Sequence, residues 1–127
     1  MAEVTILLVE DEGLIQDILE VALEEAGFSV VTADSGARAI AMIEAEPGLR
    51  AIITDIQLGA GPTGWDIARR AREISANIPI VYMSGDSGHE WPVQGVPNSV
   101  MISKPFAVTQ VVTAVSILMT EADAHPG

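Results

Sequence analysis

The sequence predicts an α/β fold on a five-stranded parallel sheet, and three observations carry that expectation. Short apolar runs alternate with amphipathic stretches from end to end, the pattern of consecutive βαβ units. The first run, "TILLV", is apolar without a break, as a strand covered on both faces should be. Five units use up all 127 residues, so 1–127 reads as one domain without a linker.

Each element has a local cause. The strand at 5–9 leads into a helix over 14–27, where Leu14, Ile15, Ile18, Leu19, Ala22 and Leu23 fall at helical spacing and Gly27 caps the end. "FSVVTA" (28–33) is the second strand, and "GARAIAMIEA" (36–45) is a helix closed by Pro47 and Gly48. "AIIT" (51–54) is the third strand and "WDIARRAREI" (65–74) the third helix. "IPIVYMS" (78–84) is the fourth strand. The stretch 85–99 is interrupted by Pro92, Gly95 and Pro97, so the fourth helix should be short or irregular. "VMIS" (100–103) is the fifth strand, and the last helix covers 107–122. Its Val108, Val111, Val112, Val115 and Met119 form a core-facing stripe. Opposite lie Thr109, Thr113, Ser116 and Thr120, and no charge occurs from Pro105 to Thr120. That face is either a plain polar surface or a contact for a partner or a second copy, giving a homodimer through the last helix.

Composition narrows the partners. Eighteen acids against six bases leave a net charge of −12. Nothing in that balance can neutralise a phosphate backbone, so nucleic acid is not an expected partner; cations and basic protein surfaces are. With no cysteine, disulfides and thiolate metal sites are excluded and a reducing compartment is compatible. The N-terminus lacks the basic region of a signal peptide. "FAVTQVVTAVSILM" falls short of the roughly 20 apolar residues that span a bilayer. A soluble cytoplasmic protein without a membrane partner is expected.

Ligands of parallel α/β sheets bind beyond the carboxyl ends of the strands. Glu10, Asp11 and Glu12 follow the first strand, Asp55 the third, Ser84 and Gly85 the fourth, and Lys104 and Pro105 the fifth. The second strand contributes nothing comparable, which suits a sheet edge. Carboxylates gathered at one rim need a cation, and oxygen ligands without His or Cys select Mg²⁺ or Mn²⁺. Lys104, the single lysine of the chain, is a fixed ammonium of the kind that spreads phosphoryl charge. Ser84 can donate to a phosphoryl oxygen, and Gly85 leaves room for it. Asp55, with the glycine-rich "QLGAGPTG" behind it, is placed to be a nucleophile that forms an acyl phosphate. Singly, each residue has a plainer use: an acid caps a helix, a serine makes a turn, a lysine is solvated. Four complementary strand ends together do not.

"ILLVEDE", "IITDIQL", "VYMSG" and "SKPF", in this order and spacing, resemble the receiver domain of bacterial two-component response regulators. The resemblance covers residues 4 to about 121. It implies a flavodoxin-like doubly wound sheet of strand order 2-1-3-4-5. It further implies that Asp55 accepts a phosphoryl group from a histidine kinase or a histidine phosphotransfer protein. Asp11 would bind Mg²⁺ directly, Glu10 largely through water, and the backbone carbonyl of Gln57 would be a further ligand. Ser84 and Lys104 would hold phosphoryl oxygens, Lys104–Pro105 would be a cis bond, and Gln57 and Asp86 would tune loss of the phosphoryl group to water.

The sequence also departs from the family. Gly59 stands where a proline is usual, and "LGAGPTG" is one residue longer than the common loop before its glycine, here Gly64. Met101 occupies the position of the aromatic switch, so the switch region of Asp86, Trp91 and Met101 should work by ordering a mobile segment, and not by an aromatic rotation. Arg69, Arg70 and Arg72 hold half the positive charge and read as a solvated face or a contact for an acidic partner. His89 and His125 are not expected ligands. Trp65 and Trp91 are either partly buried or exposed anchors.

The expected function is a stand-alone phosphoacceptor of a two-component system or phosphorelay. It would pass its phosphoryl group on, or bind a downstream protein when phosphorylated, and would not be an enzyme beyond its own phosphorylation and dephosphorylation. The rivals are an aspartyl-nucleophile phosphohydrolase, whose second aspartate is Gln57 here, and a degenerate receiver used only for docking or dimerisation.

Overall fold

In the computed structural model, which describes residues 4–124, apolar residues alternate between two cores because the sheet is covered on both faces. The strands are β1 (Thr5–Val9), β2 (Ser29–Ala33), β3 (Leu49–Asp55), β4 (Ile80–Ser84) and β5 (Ser99–Ser103). All pair in parallel, in the order β2-β1-β3-β4-β5. The helices are α1 (Gly13–Glu25), α2 (Gly36–Ala45), α3 (Gly64–Ile74), α4 (Trp91–Gln94) and α5 (Val108–Ala124). Leu7, Val9, Ile52 and Tyr82 face one core with Ala39 and Ile43 of α2 and Ile67 and Ala68 of α3. Ile6, Leu8, Ile53 and Met83 face the other with Leu19 and Leu23 of α1 and Val111 and Val115 of α5. The five-stranded doubly wound sheet thus has the expected order, with β2 at an edge.

The differences from expectation lie at boundaries. β3 begins at Leu49 and takes Asp55 as its last residue. β4 begins at Ile80, because Pro79 has no N–H to enter the ladder, although its carbonyl accepts from Ile52 at 3.0 Å. The segment after β4 forms a 3-10 turn over Gly88–Glu90 and the four-residue α4, the short irregular helix its prolines and glycine predict.

Two glycines let the loops approach the sheet. A Cβ on Gly64 would run into the carbonyl oxygen of Asp55, and one on Gly36 into that of Pro62. Between them the N-terminus of α3 is fixed by a reciprocal cap: Asp66 N–H donates to Thr63 Oγ1 at 3.3 Å and Thr63 N–H to Asp66 Oδ2 at 2.9 Å.

On α5, Val111, Val115 and Met119 are buried as predicted, and Leu118 joins them. Thr109, Thr113 and Thr120 are exposed. Ser116 and Thr120 turn their hydroxyls back onto the helix, donating to Val112 O and Ser116 O. Trp65 is no exposed anchor: it is 6 % exposed, stacked at a tilt on Tyr82 with centroids 4.7 Å apart. The arginines of α3 are engaged within the chain. Arg70 pairs with Glu44 at 2.9 Å, Arg69 bonds the side chain and carbonyl of Gln94, and Arg72 donates to the carbonyls of Ile78, Pro97 and Asn98. His89 is exposed, and His125 lies outside the described residues.

Candidate functional site

The parallel strands all end at one rim, so residues distant in sequence meet there. Glu10 follows β1, and its backbone N–H donates to Ala33 O at 3.1 Å. Gln16, one turn into α1, donates to Glu10 O at 3.1 Å. This pins the backbone while the Glu10 side chain is wholly buried. Asp55 is 6 % exposed, and its Oδ1 accepts the N–H of Ile56 at 2.9 Å. Its Oδ2 accepts from Lys104 Nζ at 2.9 Å. The same ammonium reaches Glu10 Oε2 at 3.3 Å, and Glu10 Oε1 accepts the N–H of Glu12 at 3.2 Å.

One ammonium between two buried carboxylates does not neutralise them. Burial, and then repulsion from Asp55, pushes Glu10 up to about 7 despite the bonds from Glu12 and Lys104. Burial also raises Asp55, against the opposing pull of Lys104. For Lys104, burial acts downward, but its bonds to Asp55 and Glu10 outweigh it and leave the ammonium above its ordinary value.

Exposed Asp11 completes an acidic group: Glu10, Asp11 and Asp55 each offer an oxygen, all within 4.8 Å of one another. Three hard oxygen donors without nitrogen or sulfur fit Mg²⁺ or Mn²⁺, which keep waters and accept phosphate ligands. Glu12 stands apart, as the N-terminal flank of α1 with no side-chain cap bond.

The other predicted residues are distributed around this centre. Ser84 is 2 % exposed, and its Oγ accepts the N–H of Ser87 at 2.7 Å. Gly85 is open, with nothing within 4 Å of an added Cβ, so a phosphoryl oxygen could approach there. Lys104–Pro105 is a cis bond. Gln57 is exposed, and its carboxamide donates to Ser87 Oγ at 2.8 Å. Asp86 is exposed. Met101 and Trp91 are partly buried and pack on the core that holds Tyr82, not on the acidic group. Ser87, 2 % exposed, was not foreseen. The only signal for it is its spacing three residues after Ser84.

The comparisons with known proteins agree with this geometry. A family model described as the response regulator receiver domain matches residues 6–116. The chain is 32 % identical over 119 residues to the response regulator receiver protein CpdR of Brucella abortus, covering 92 % of this chain and 98 % of that protein. It is 32 % identical to the phosphate regulon transcriptional regulatory protein PhoB of Pseudomonas aeruginosa, covering 91 % of this chain but 51 % of that one, so it spans about half of that longer relative. A solved response regulator receiver protein from Sinorhizobium medicae superposes with a TM-score of 0.90 at 45 % identity, covering 93 % of this chain and 95 % of that one. Sheet order, acidic rim and sequence matches converge: the chain belongs to the response regulator receiver domain family.

Proposed function

We propose that this receiver is a phosphoacceptor of a two-component system or phosphorelay, with Asp55 as the acceptor. The observation that carries the reading is the Asp55–Lys104 contact of 2.9 Å beside the carboxylates of Glu10 and Asp11. A carboxylate oxygen of Asp55 attacks the phosphorus of a phosphohistidine on a histidine kinase or histidine phosphotransfer protein. The P–N bond breaks, and the imidazole leaves with the electron pair and takes up a proton. Lys104 and the Ser84 hydroxyl bind phosphoryl oxygens as charge moves onto Asp55. A Mg²⁺ or Mn²⁺ ion held by Glu10, Asp11, Asp55 and the carbonyl of Gln57 would supply the countercharge. The phosphorylated chain then transfers the group onward or binds a downstream protein, with self-association through α5 as one outcome.

It turns over no external substrate. An aspartyl phosphohydrolase needs an acid two residues beyond its nucleophile, and Gln57, its carboxamide bonded to Ser87, supplies none. The net charge of −12 disfavours nucleic acid as a partner. Among the described residues no helix is long and apolar enough to cross a membrane, which supports a cytoplasmic site of action. Incubation with acetyl phosphate and Mg²⁺ tests the reading. Intact mass should rise by one phosphoryl group, and Asp55→Asn should stay folded and unlabelled. Undiminished labelling of Asp55→Asn refutes the assignment.

A further inference from the structure

The mechanism above gives no task to Ser87, yet its N–H, hydroxyl and carbonyl are all engaged close to the acceptor. It is buried, its N–H donates to Ser84 Oγ at 2.7 Å, and its own Oγ accepts the Gln57 carboxamide at 2.8 Å. Its carbonyl accepts the N–H of Glu90 at 3.0 Å and so opens the 3-10 turn. Gln57 lies two residues beyond the acceptor and is exposed. A carboxamide in that position has two uses. It can orient a water for attack on a phosphoryl group, or it can be held elsewhere.

Resting on Asp55 as the phosphoacceptor, we propose that Ser87 is a positioning residue that sequesters the Gln57 carboxamide and so lengthens the life of the aspartyl phosphate. The reaction it restrains is hydrolysis. A water oxygen attacks phosphorus, and the P–O bond to Asp55 breaks. The electron pair returns to Asp55 as a carboxylate, and the water protons leave with inorganic phosphate. While Gln57 donates to Ser87, that amide N–H is engaged and does not orient the water. Because Ser87 also donates its N–H to Ser84, the side chain that sequesters Gln57 sits on the turn that aims the phosphoryl-binding hydroxyl.

The test is the decay rate of the phosphorylated protein after removal of acetyl phosphate, at constant Mg²⁺. Loss of one hydrogen bond of ordinary net strength frees Gln57, so Ser87→Ala should speed decay about fivefold. Ser87→Thr, which keeps the hydroxyl, should decay within about twofold of the parent. Gln57→Met alone sets the reference rate for a chain without the carboxamide, whatever that rate is. Adding Gln57→Met to Ser87→Ala should restore slow decay. A merely structural Ser87 would give equal acceleration in both backgrounds, and that result, or Ser87→Ala decaying at the parent rate, overturns the proposal. If the parent takes no label, the phosphoacceptor reading itself falls. Thermal melting of each variant shows which are folded, and Ser87→Thr, which keeps the hydroxyl, keeps the proposal testable if Ser87→Ala is weakened.

Discussion

The phenolic oxygen of Tyr82, on a residue with no exposed surface, accepts the backbone N–H of Val96 at 3.1 Å. A core strand thereby holds the loop that follows α4. The carbonyl of Val96 is engaged as well: it accepts from Ser99 Oγ at 2.6 Å, and Ser99 Oγ accepts Trp91 Nε1–H at 2.9 Å. Arg72 adds a bond to Pro97 O at 2.6 Å.

The segment over 86–98 is therefore expected to be graded in stability, and not uniformly mobile. Its far end has buried anchors, while Gly85, Asp86 and His89 are exposed. Hydrogen exchange should find Val96 protected and the 85–89 amides faster. Tyr82→Phe should raise exchange at Val96 about fivefold, the equivalent of one ordinary hydrogen bond. A beryllofluoride mimic with Mg²⁺ should slow exchange in the segment's first half, next to Ser84. Uniform rates along 86–98 that ignore both Tyr82→Phe and the mimic would remove this route for the signal.

These anchors explain what could not be read locally. Asp11, Asp55, Ser84 and Lys104 were legible because parallel strands deliver their carboxyl ends to one rim, whatever the details between them. The two-core alternation was legible because strand side chains alternate with period two. The hold on 86–98 was not, since Tyr82, Arg69 and Arg72 come from other elements and no pattern within Gly- and Pro-broken sequence points to them. Trp65 was equally opaque, because its burial depends on a tyrosine seventeen residues on, which pairs with it only after α3 folds onto β4. Ser87 lies in a turn without periodicity, so its bonds to Ser84 and Gln57 appear only in three dimensions.

Metal affinity should separate two adjacent acids. Asp11 offers an oxygen to the acidic group, whereas Glu12 does not. In a magnesium titration followed by tryptophan fluorescence or calorimetry, Asp11→Ala should weaken binding at least about tenfold, one full ligand contact costing more than 1.4 kcal/mol. Glu12→Ala should stay within about threefold, the screened effect of one exposed charge. Equal losses would mean that the ion sits elsewhere.

Stability without metal should fall as pH rises through the acidic range. Glu10 sits near 7 in the fold against an ordinary 4.5. Between those values the folded chain keeps a proton that the unfolded chain has released, so raising pH favours unfolding. The full effect is about 3 kcal/mol, present below the ordinary value and lost above the folded one. Urea melts in EDTA should show Glu10→Gln gaining on the parent between pH 5 and pH 8, and Mg²⁺ should narrow the gap at pH 8. A difference between the two proteins that does not vary with pH would show that Glu10 does not carry this strain.

The sharpest structural test compares two glycines of the loop behind Asp55. Gly59 adopts a φ of 77° with nothing within 4 Å of an added Cβ, so its constraint is purely conformational. Gly59→Ala should cost about 1–2 kcal/mol and leave phosphorylation intact, because only the left-handed backbone is penalised. Gly64 is the opposite case. Its N–H donates to Ile56 O at 2.9 Å, and an added Cβ would lie 2.8 Å from Ile56 Cα and against the Asp55 carbonyl. Backbone cannot move aside as a side-chain tip can, so α3 would have to back away from the end of β3. Gly64→Ala should cost about 2–3 kcal/mol, the range of overpacked sites, and should displace Asp55 relative to Lys104. Its labelling by acetyl phosphate should fall well below that of Gly59→Ala at temperatures where both are folded. Equal labelling would show that the acceptor tolerates movement of its own strand end, and that the close approach of α3 serves packing alone.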